Sequence, residues 1–389
     1  MKPDFPNTSI AFARQGNFGL WRAGLLFRFM AYPLLVKWIG GFLHWSLKAG
    51  LPVSFLIKAT VYRQFVGGQS LEECHSLVND LNRFGVQSIL DFSVEGGDSE
   101  EQMNAAYDET LRSIINASEN PNIPFAVFKP SAFARNALLE NLIPNQIISP
   151  DLQVYLDEFR NYIQNLSQKA AEYDVPLLID AEDSWYQHLV DEITEEMMSK
   201  YNQKRAIVFN TLQMYRHDRL LYLKNLHQKA QEMDFIAGLK FVRGAYMEKE
   251  RIRAEEMIYP SPIQPDKAST DRDFNEALKY CTRNITRFVI FCGTHNEDSC
   301  QLLVSLMEEN NFEPADKRFW FSQLYGMSDH ISFNLASKGY NVAKYIPYGP
   351  VKFVMPYLLR RAEENTSVAG QTSRELSLIQ RERMRRSQK

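Results

Sequence analysis

Short runs of apolar, β-prone residues recur along the chain from about residue 88, and polar or mixed stretches separate them. The runs are rich in Val, Ile, Leu and Phe and lack a clean apolar–polar alternation, a pattern typical of strands that are covered on both faces. We predict strands at Ser88–Val94, Phe125–Lys129, Pro176–Glu182, Ala206–Tyr215, Gly238–Tyr246, Arg287–Asn296, Arg318–Met327 and Asn341–Gly349.

Helix-like periodicity follows these runs, at Asp151–Tyr173, Trp185–Tyr201, Arg216–Met233, Thr270–Thr286 and Asp298–Glu309. An earlier helix is predicted at Ser70–Phe84, with Ser70 as its N-cap. Strands that alternate with helices pair in parallel, and eight such units over roughly 280 residues are typical of a closed barrel rather than an open sheet. We therefore predict an α/β fold, a (β/α)8 TIM-like barrel, over residues 67–370.

The two ends of the chain differ from the barrel pattern. Residues 1–66 are predicted to be a helical region that packs on the barrel, because Arg22, Arg28 and Lys37 interrupt its apolar residues and no run of about 18 remains to span a membrane. A partly exposed patch that lies in the membrane interface is the alternative for this region. Residues 371–389 form a basic tail, expected to be a surface helix that frays, and Glu250–Ser269 is expected to cross the barrel's upper face.

Composition narrows the class of protein. The 389 residues carry a net charge of -3 with mixed signs, which gives no broad positive field for nucleic acid. The four cysteines form no Cys-x-x-Cys pair, so neither a disulfide framework nor a zinc site is predicted. The N-terminus lacks the layout of a secretory signal. We expect a cytoplasmic protein that could also make peripheral contact with the inner face of the membrane.

Polar side chains cluster where the predicted strands end, which is where barrels of this type carry their functional residues. For Asp180 or Asn296 alone, capping of the next helix is an equally good interpretation, but chance does not explain the whole set. The set comprises Asp91, Glu95, Lys129, Asp180, Glu182, Gln213, Tyr215, Arg243, Tyr246, Thr294, His295, Asn296, Gln323, Leu324 and Tyr345.

Several chemistries are open to these residues. Lys129 could form a Schiff base, as in barrel aldolases, or act as a fixed cation for an anionic substrate group. A metal site built from His295, Asp180 and Glu182 is a weak alternative, since a single histidine and two dispersed carboxylates make a thin ligand set. No Gly-x-Gly-x-x-Gly follows any predicted strand, so a dinucleotide would have to bind without that fingerprint.

The helix predicted from Val351 has an apolar side and a second side that carries Tyr357, Arg360, Arg361 and Glu364. Two adjacent arginines beside a tyrosine suit a small carboxylate ligand. Taken alone, this stripe is better interpreted as a solvated face, because most helical charge clusters are surface features. Together with the strand ends and Lys129, it is better interpreted as part of a helix that caps the active site.

Six ordered motifs resemble the proline dehydrogenase family over Gly67 to Gly370. They are Leu-Leu-Ile-Asp-Ala-Glu at 177–182, Gln-Met-Tyr at 213–215, Val-Arg-Gly-Ala-Tyr at 242–246, Gly-Thr-His-Asn at 293–296, Gln-Leu-Tyr-Gly-Met at 323–327 and Tyr-Leu-Leu-Arg-Arg-Ala-Glu-Glu-Asn at 357–365. The spacing is similar to that of the compact monofunctional members. The chain is expected to lack the aldehyde dehydrogenase half of bifunctional relatives, so a separate pyrroline-5-carboxylate dehydrogenase would act downstream.

The resemblance implies FAD held noncovalently on the barrel, and oxidation of L-proline to Δ1-pyrroline-5-carboxylate by hydride transfer from C5 to flavin N5. In the family pattern, Arg243 lies near flavin N5 and Gln213 contacts the flavin. The other implied cofactor residues are Ala245, Thr294, His295, Asn296 and Glu364. Arg243, Asp180 and Tyr246 are the implied catalytic residues, with Asp180 bonded near Tyr246.

The substrate residues follow from the same resemblance. Lys129, Arg360 and Arg361 match the cations that bind the proline carboxylate. Leu324, Tyr345, Tyr357 and Tyr246 match the residues that enclose the ring. Tyr345 is serine-like in relatives that resemble hydroxyproline dehydrogenases, so the tyrosine predicts a preference for proline. The implied electron acceptor is a membrane quinone. There are two competing hypotheses. One is an aldolase that uses Lys129, and the other is a scaffold that binds flavin or membrane without turnover.

Overall fold

The computed structural model describes residues 2–30, 54–93, 99–141, 149–367 and 371–388, together with positions 32, 38 and 41. Its strands are β1 (Gln87–Phe92), β2 (Ala126–Phe128), β3 (Leu177–Ile179), β4 (Val208–Gln213), β5 (Ala237–Val242), β6 (Phe288–Gly293), β7 (Phe319–Leu324) and β8 (Val342–Tyr348). Its α-helices are Thr8–Ala11, Asn17–Met30, Ser54–Ile57, Arg63–Phe65, Leu71–Asn82, Glu100–Glu119, Asn136–Asn141, Pro150–Glu172, Ser184–Tyr201, Arg219–Glu232, Met247–Glu256, Lys267–Arg283, Glu297–Glu309, Asp329–Ala336, Val351–Ser367 and Gln371–Ser387. Lys58–Tyr62 is a π-helical turn, and Pro130–Phe133 and Ile285–Arg287 are 3₁₀ turns.

The eight strands form one parallel sheet in the order β1-β8-β7-β6-β5-β4-β3-β2, a nearly closed (β/α)8 barrel with helices around it. The predicted fold class is confirmed; six strands lie within their predicted runs, and β1 and β5 each begin one residue before theirs, at Gln87 and Ala237. Three helices begin at serine caps, since Ser70, Ser99 and Ser149 each accept a backbone N–H in the first turn of the helix that follows. Local sequence signals therefore mark where these three helices begin.

By internal packing the chain divides into two compact units, Glu95–Ser322 and Met1–Val94 with Gln323–Lys389. The first unit is centred on an aromatic cluster inside the sheet. The ring of Phe125 makes edge contacts with Phe209, Phe291 and Trp320, with centroids 5.4, 5.2 and 4.9 Å away. Gly238 lies where a Cβ atom would come within 2.7 Å of the Phe209 ring, so only glycine allows this packing.

The second unit contains β1, β8 and the terminal helices. Apolar side chains of the helix Asn17–Met30 pack in one cluster with the helices Val351–Ser367 and Gln371–Ser387. Leu378 and Ile379 of the C-terminal helix are 0% and 2% exposed, so the stretch expected to fray is instead packed along part of its length. Arg381 and Arg383 of that stretch are exposed, whereas Arg386 donates to the backbone carbonyls of Gln15 and Phe12, at 2.7 and 2.9 Å.

Helix Met247–Glu256 occupies part of the segment expected as an excursion. Its sequence has few apolar residues and no clear periodicity, and a tertiary contact anchors it: Glu250 is 0% exposed and accepts hydrogen bonds from the backbone N–H and hydroxyl of Ser184, at 2.6 and 2.5 Å. Among helices formed by the described residues, none combines the length and apolar character needed to cross a membrane.

Candidate active site at the strand ends

Glu182 connects the ends of β2, β3 and β4. Its carboxylate accepts hydrogen bonds from the backbone N–H and the hydroxyl of Ser131, at 2.8 and 2.7 Å, just after Lys129 at the end of β2. Its backbone carbonyl accepts the side-chain amide of Gln213, at 2.8 Å. One residue therefore fixes the segment after Lys129 and the orientation of the Gln213 amide.

The electrostatic state of Glu182 is unusual for a carboxyl group. Burial raises its pKa to about 7, although the hydrogen bonds from Ser131 and the positive charge of Lys129 act in the opposite direction. The side chain is 6% exposed. Near neutral pH, Glu182 is consequently shared between its neutral and charged forms.

Gln213 ends β4 and is 2% exposed. Its side-chain nitrogen donates to the Glu182 carbonyl, which leaves the amide oxygen facing the other way. Within the described ranges, that buried oxygen has no hydrogen-bond partner. A buried acceptor in this condition costs free energy unless a ligand or water supplies a donor.

Arg243 follows β5 and is held on three sides. It forms an ion pair with Asp271 at 2.7 Å and donates to the hydroxyls of Thr294 and Ser299, at 2.6 and 3.1 Å. Its guanidinium carbon lies 4.5 Å from the ring centroid of Phe274. Partial burial acts to raise the pKa of Asp271, but hydrogen bonds from Lys267 and Arg243 hold that pKa below its ordinary value. The result is a fixed positive charge at the end of the sheet.

Asp180, directly after β3, pairs with Lys240 of β5 at 2.6 Å. The two side chains are 14% and 8% exposed. Because β4 separates β3 from β5 in the sheet, this ion pair crosses the barrel interior. Lys240 was not among the predicted site residues. Its position inside an apolar strand could have identified it, because a buried lysine requires a counterion.

Thr294, His295 and Asn296 follow β6 and divide their roles. Thr294 accepts from Arg243 and from the backbone N–H of Asn296, at 2.6 and 3.1 Å. Asn296 caps the next helix by accepting the backbone N–H of Ser299 at 2.9 Å, as the capping interpretation of this residue expected. His295 is half-buried between them. Their assignment to cofactor binding remains a prediction.

The segment after Arg243 has a constrained backbone. Gly244 has φ of 125°, and a Cβ atom there would lie 2.6 Å from the ring of Tyr215. Ala245 is exposed and Tyr246 is half-buried. A side chain at position 244 would be excluded on both counts, so the glycine sets the path by which the chain reaches Tyr246.

The remaining predicted site residues lie in the second compact unit. Tyr345 of β8 and Tyr357 are each 7% exposed, Arg361 is 8% exposed, and Leu324 and Arg360 are half-buried. The guanidinium carbon of Arg361 lies 5.2 Å from the Tyr357 ring centroid, which fixes the arginine against a flat apolar surface. The side chain of Glu364 and position Glu95 lie outside the described residues.

The residues of the first unit fit a flavin. The buried oxygen of Gln213 needs a hydrogen-bond donor, which a flavin offers through its ring N–H and its ribityl hydroxyls. Arg243 offers a fixed cation to a ring system that becomes negatively charged when reduced. The donor set is therefore compatible with the cofactor that the sequence motifs imply.

Comparison with known proteins identifies the family. The family model "Proline dehydrogenase" matches residues 74–374. The chain is 34% identical over 323 residues to the carbapenem antibiotics biosynthesis protein CarD of Pectobacterium carotovorum subsp. carotovorum, covering 83% of each chain. It is 31% identical to the mitochondrial proline dehydrogenase 1 of Dictyostelium discoideum, covering 89% of this chain and 68% of that protein.

Among solved structures, the proline utilization A protein of Bdellovibrio bacteriovorus, inactivated by N-propargylglycine, superimposes with a TM-score of 0.72 at 19% identity. The match covers 94% of this chain but 36% of that protein. At this identity the likeness establishes the fold alone.

Proposed function

The chain belongs to the proline dehydrogenase family, and we propose that it oxidises L-proline to Δ1-pyrroline-5-carboxylate with noncovalently bound FAD. The observation that carries this proposal is the pair of groups at the ends of β4 and β5. Gln213 presents a buried acceptor that has no partner within the described ranges, and Arg243 presents an immobilised cation. A flavin bound there supplies the hydride acceptor that an amino acid side chain cannot supply.

The chain's own contribution is orientation and charge. Arg243 binds and stabilises negative charge, and its ion pair with Asp271 and its two hydroxyl partners hold it in place. Gln213 orients the cofactor through its amide oxygen. Because Glu182 holds the Gln213 amide nitrogen and the segment after Lys129, it is a positioning residue for both groups.

The substrate carboxylate is proposed to bind Lys129, Arg360 and Arg361, since guanidinium forks and an ammonium group suit a carboxylate. Leu324, Tyr345, Tyr357 and Tyr246 are proposed to exclude water from the ring and to hold its C5 carbon in one orientation. Asp180, fixed by Lys240, is proposed to act beside Tyr246 rather than directly on the substrate.

The decisive test is an absorption spectrum of the purified chain before and after addition of L-proline under anaerobic conditions. The proposal expects a flavin band that proline bleaches. A colourless protein that cleaves or condenses carbonyl substrates through Lys129 would instead support a Schiff-base aldolase. A yellow protein whose band proline leaves unchanged would support a binding scaffold without turnover.

The cofactor assignment has a sharper test in the variant Gln213→Leu. We expect this variant to lose most of its flavin after dialysis, because the amide that would hold the ring is gone. Gln187→Leu is the matched control, since Gln187 is 1% exposed and its amide oxygen likewise has no partner among the described residues, but it lies on the helix Ser184–Tyr201. Equal flavin loss in two equally folded variants would contradict the assignment.

A second part of the proposal concerns the electron acceptor. Phe18, Trp21, Leu25 and Phe29 lie along one side of the helix Asn17–Met30 and are 71%, 46%, 39% and 51% exposed. Leu20, Ala23, Phe27 and Met30 on the other side are buried. An exposed aromatic stripe beside Arg22 and Arg28 is typical of a helix that lies in a membrane interface. We propose that this stripe makes peripheral contact with the membrane that holds a quinone acceptor.

The double variant Trp21→Asp/Phe29→Asp tests this contact. We expect it to lose association with anionic liposomes and to reduce a membrane-embedded quinone more slowly, while reduction of a water-soluble dye by proline continues. Leu221→Asp is the control, since Leu221 is 64% exposed on a different helix, Arg219–Glu232. Unchanged liposome binding and quinone reduction would contradict the proposed surface.

A further inference from the structure

A cluster of buried charges behind β8 takes no part in the site described above. Lys344 of β8 is 0% exposed and forms an ion pair with Asp329 at 2.9 Å. Its ammonium group also donates to the backbone carbonyls of Met327 and, at 3.5 Å, Leu324. The three donors of the lysine thus meet three oxygen atoms. All three oxygens belong to the segment 324–329, which runs from the last residue of β7 to the first residue of the helix Asp329–Ala336.

This segment is a loop of unusual conformation. Gly326 has φ of 81° and Ser328 has φ of 51°, so two residues within three lie in the left-handed region. A Cβ atom at Gly326 would meet the backbone oxygen of Gln64 at 2.1 Å. A loop with such a path persists only when its surroundings hold it, and Lys344 supplies a fully buried ammonium group that contacts it. The guanidinium carbon of Arg14 also lies 5.7 Å from the ring centroid of the loop residue Tyr325.

Both ends of the chain contact the same loop. Gln15, near the N-terminus, donates to the second carboxylate oxygen of Asp329 at 3.0 Å. Glu375 of the C-terminal helix is 3% exposed and accepts the backbone N–H of Ser328 at 2.5 Å. Burial acts to raise the pKa of Asp329, but the positive charges of Lys344 and Arg14 outweigh it and hold that pKa below its ordinary value. The carboxylate therefore remains a charged partner for the lysine at neutral pH.

The loop begins at Leu324, and the residue after Lys344 is Tyr345. Successive side chains of a strand point to opposite faces, so Lys344 contacts the helix layer while Tyr345 faces the barrel interior. The backbone N–H of Tyr325 donates to the carbonyl of Tyr345 at 2.9 Å, which ties the loop and the strand together. Any displacement of Lys344 or of the loop consequently moves Leu324 and Tyr345.

We propose that Lys344 is a positioning residue that fixes the loop 324–329 and, with it, Leu324 and Tyr345. Gln15 and Glu375, which lie near opposite ends of the chain, hold the same loop through their hydrogen bonds to Asp329 and Ser328. The inference rests on the proposed function in one respect, namely that Leu324 and Tyr345 enclose the substrate ring. Lys344 acts through these residues and does not itself contact substrate.

The test compares Lys344→Met with Arg219→Met. The control removes another buried cation. Arg219 pairs with Asp191 at 2.7 Å, both side chains are 7% exposed, and the pair lies on helices far along the chain from the loop. We expect at least tenfold faster hydrogen exchange of the Tyr325 and Ser328 amides in Lys344→Met, and no such change in Arg219→Met. We also expect Lys344→Met to raise KM for proline at least tenfold with a smaller change in kcat, and to reduce discrimination against 4-hydroxyproline.

The double variant Lys344→Met/Asp329→Asn keeps the proposal testable if the single variant does not fold, because it leaves no unpaired buried carboxylate. It should recover stability but keep the fast-exchanging loop and the raised KM. Loop exchange equal to that of Arg219→Met in a folded variant would overturn the bracing role. Fast exchange with an unchanged KM would overturn the effect on substrate. If the wild-type chain does not oxidise proline, the proposed function fails, while the exchange experiment still decides whether Lys344 braces the loop.

Discussion

Replacement of Glu182 by glutamine should make the stability of the protein less dependent on pH. The carboxyl group is buried, its pKa is raised from 4.5 to about 7, and its partners are the backbone N–H and hydroxyl of Ser131. Because the folded chain holds this proton more tightly than the unfolded chain does, the contribution to stability is complete below pH 4.5. It is lost as the pH rises through about 7.

The size of the effect follows from the two pKa values. Relative to the fully protonated state, ionisation of Glu182 lowers the free energy of unfolding by about 0.8 kcal/mol at pH 5 and by about 3.4 kcal/mol at pH 8.5. Glutamine has no such titration. The stability of Glu182→Gln minus that of the wild type should therefore increase by about 2.5 kcal/mol between these two pH values.

The measurement is reversible urea unfolding of both proteins at pH 5 and pH 8.5, at equal flavin occupancy. Glutamine keeps one acceptor oxygen for Ser131, and the loss of the other adds an offset that does not titrate, so the change in the difference with pH is the informative quantity. Glu256→Gln, on the exposed end of the helix Met247–Glu256, controls for the removal of one negative charge. The difference in free energy of unfolding between this variant and the wild type should change by less than about 0.5 kcal/mol between pH 5 and pH 8.5. A difference between Glu182→Gln and wild type that stays constant with pH would refute the reasoning.

Three further predictions concern the site. The wild type should prefer L-proline over 4-hydroxyproline at least tenfold in kcat/KM, about 1.4 kcal/mol, and Tyr345→Ser should narrow that ratio; equal constants in the wild type would contradict the steric role of Tyr345. Arg361→Met should weaken proline binding about 100-fold in a flavin-reduction titration and leave FAD retention unchanged. Equal weakening of proline binding and FAD binding would contradict the assignment of Arg361 to the substrate carboxylate. Lys240→Met should lower the free energy of unfolding by about 3–5 kcal/mol because it removes the cation that pairs with the Asp180 carboxylate, and Lys240→Met/Asp180→Leu should recover part of that loss in urea unfolding.

The sequence predicts the barrel well because strand and helix signals are local and agree with one another. β6 is a continuous apolar run between Arg287 and Thr294, β8 is apolar except for Lys344, and each lies inside its predicted range. The predicted runs are longer than the strands, since polar residues that continue a run past the hydrogen-bonded ladder cannot be separated from it by composition. At β3 the ladder ends at Ile179, whereas the predicted run extends to Glu182.

Features that depend on long-range contacts were not predictable in the same way. Helix Met247–Glu256 depends on the contact of Glu250 with Ser184, 66 residues earlier in the chain. The partners of Asp180 and Arg243 come from other strands and helices, at Lys240 and Asp271. Strand-end position indicates which residues lie near one another, but it does not give the hydrogen bonds that decide whether Asn296 caps a helix or contacts a ligand.

The two buried lysines of the barrel strands suggest how the fold serves the proposed reaction. Replacement of a buried charged pair by an apolar pair of the same shape is often neutral or stabilising, so we infer that these pairs serve to fix geometry. Lys240 fixes a carboxylate inside the barrel, and Lys344 fixes a loop on the outer face of β8. A reaction whose redox chemistry comes from a cofactor needs orientation and charge from its protein more than it needs a protein acid or base. Paired charges in rigid strands supply that orientation, which is why we expect substitutions at both lysines to change substrate binding and discrimination as well as stability.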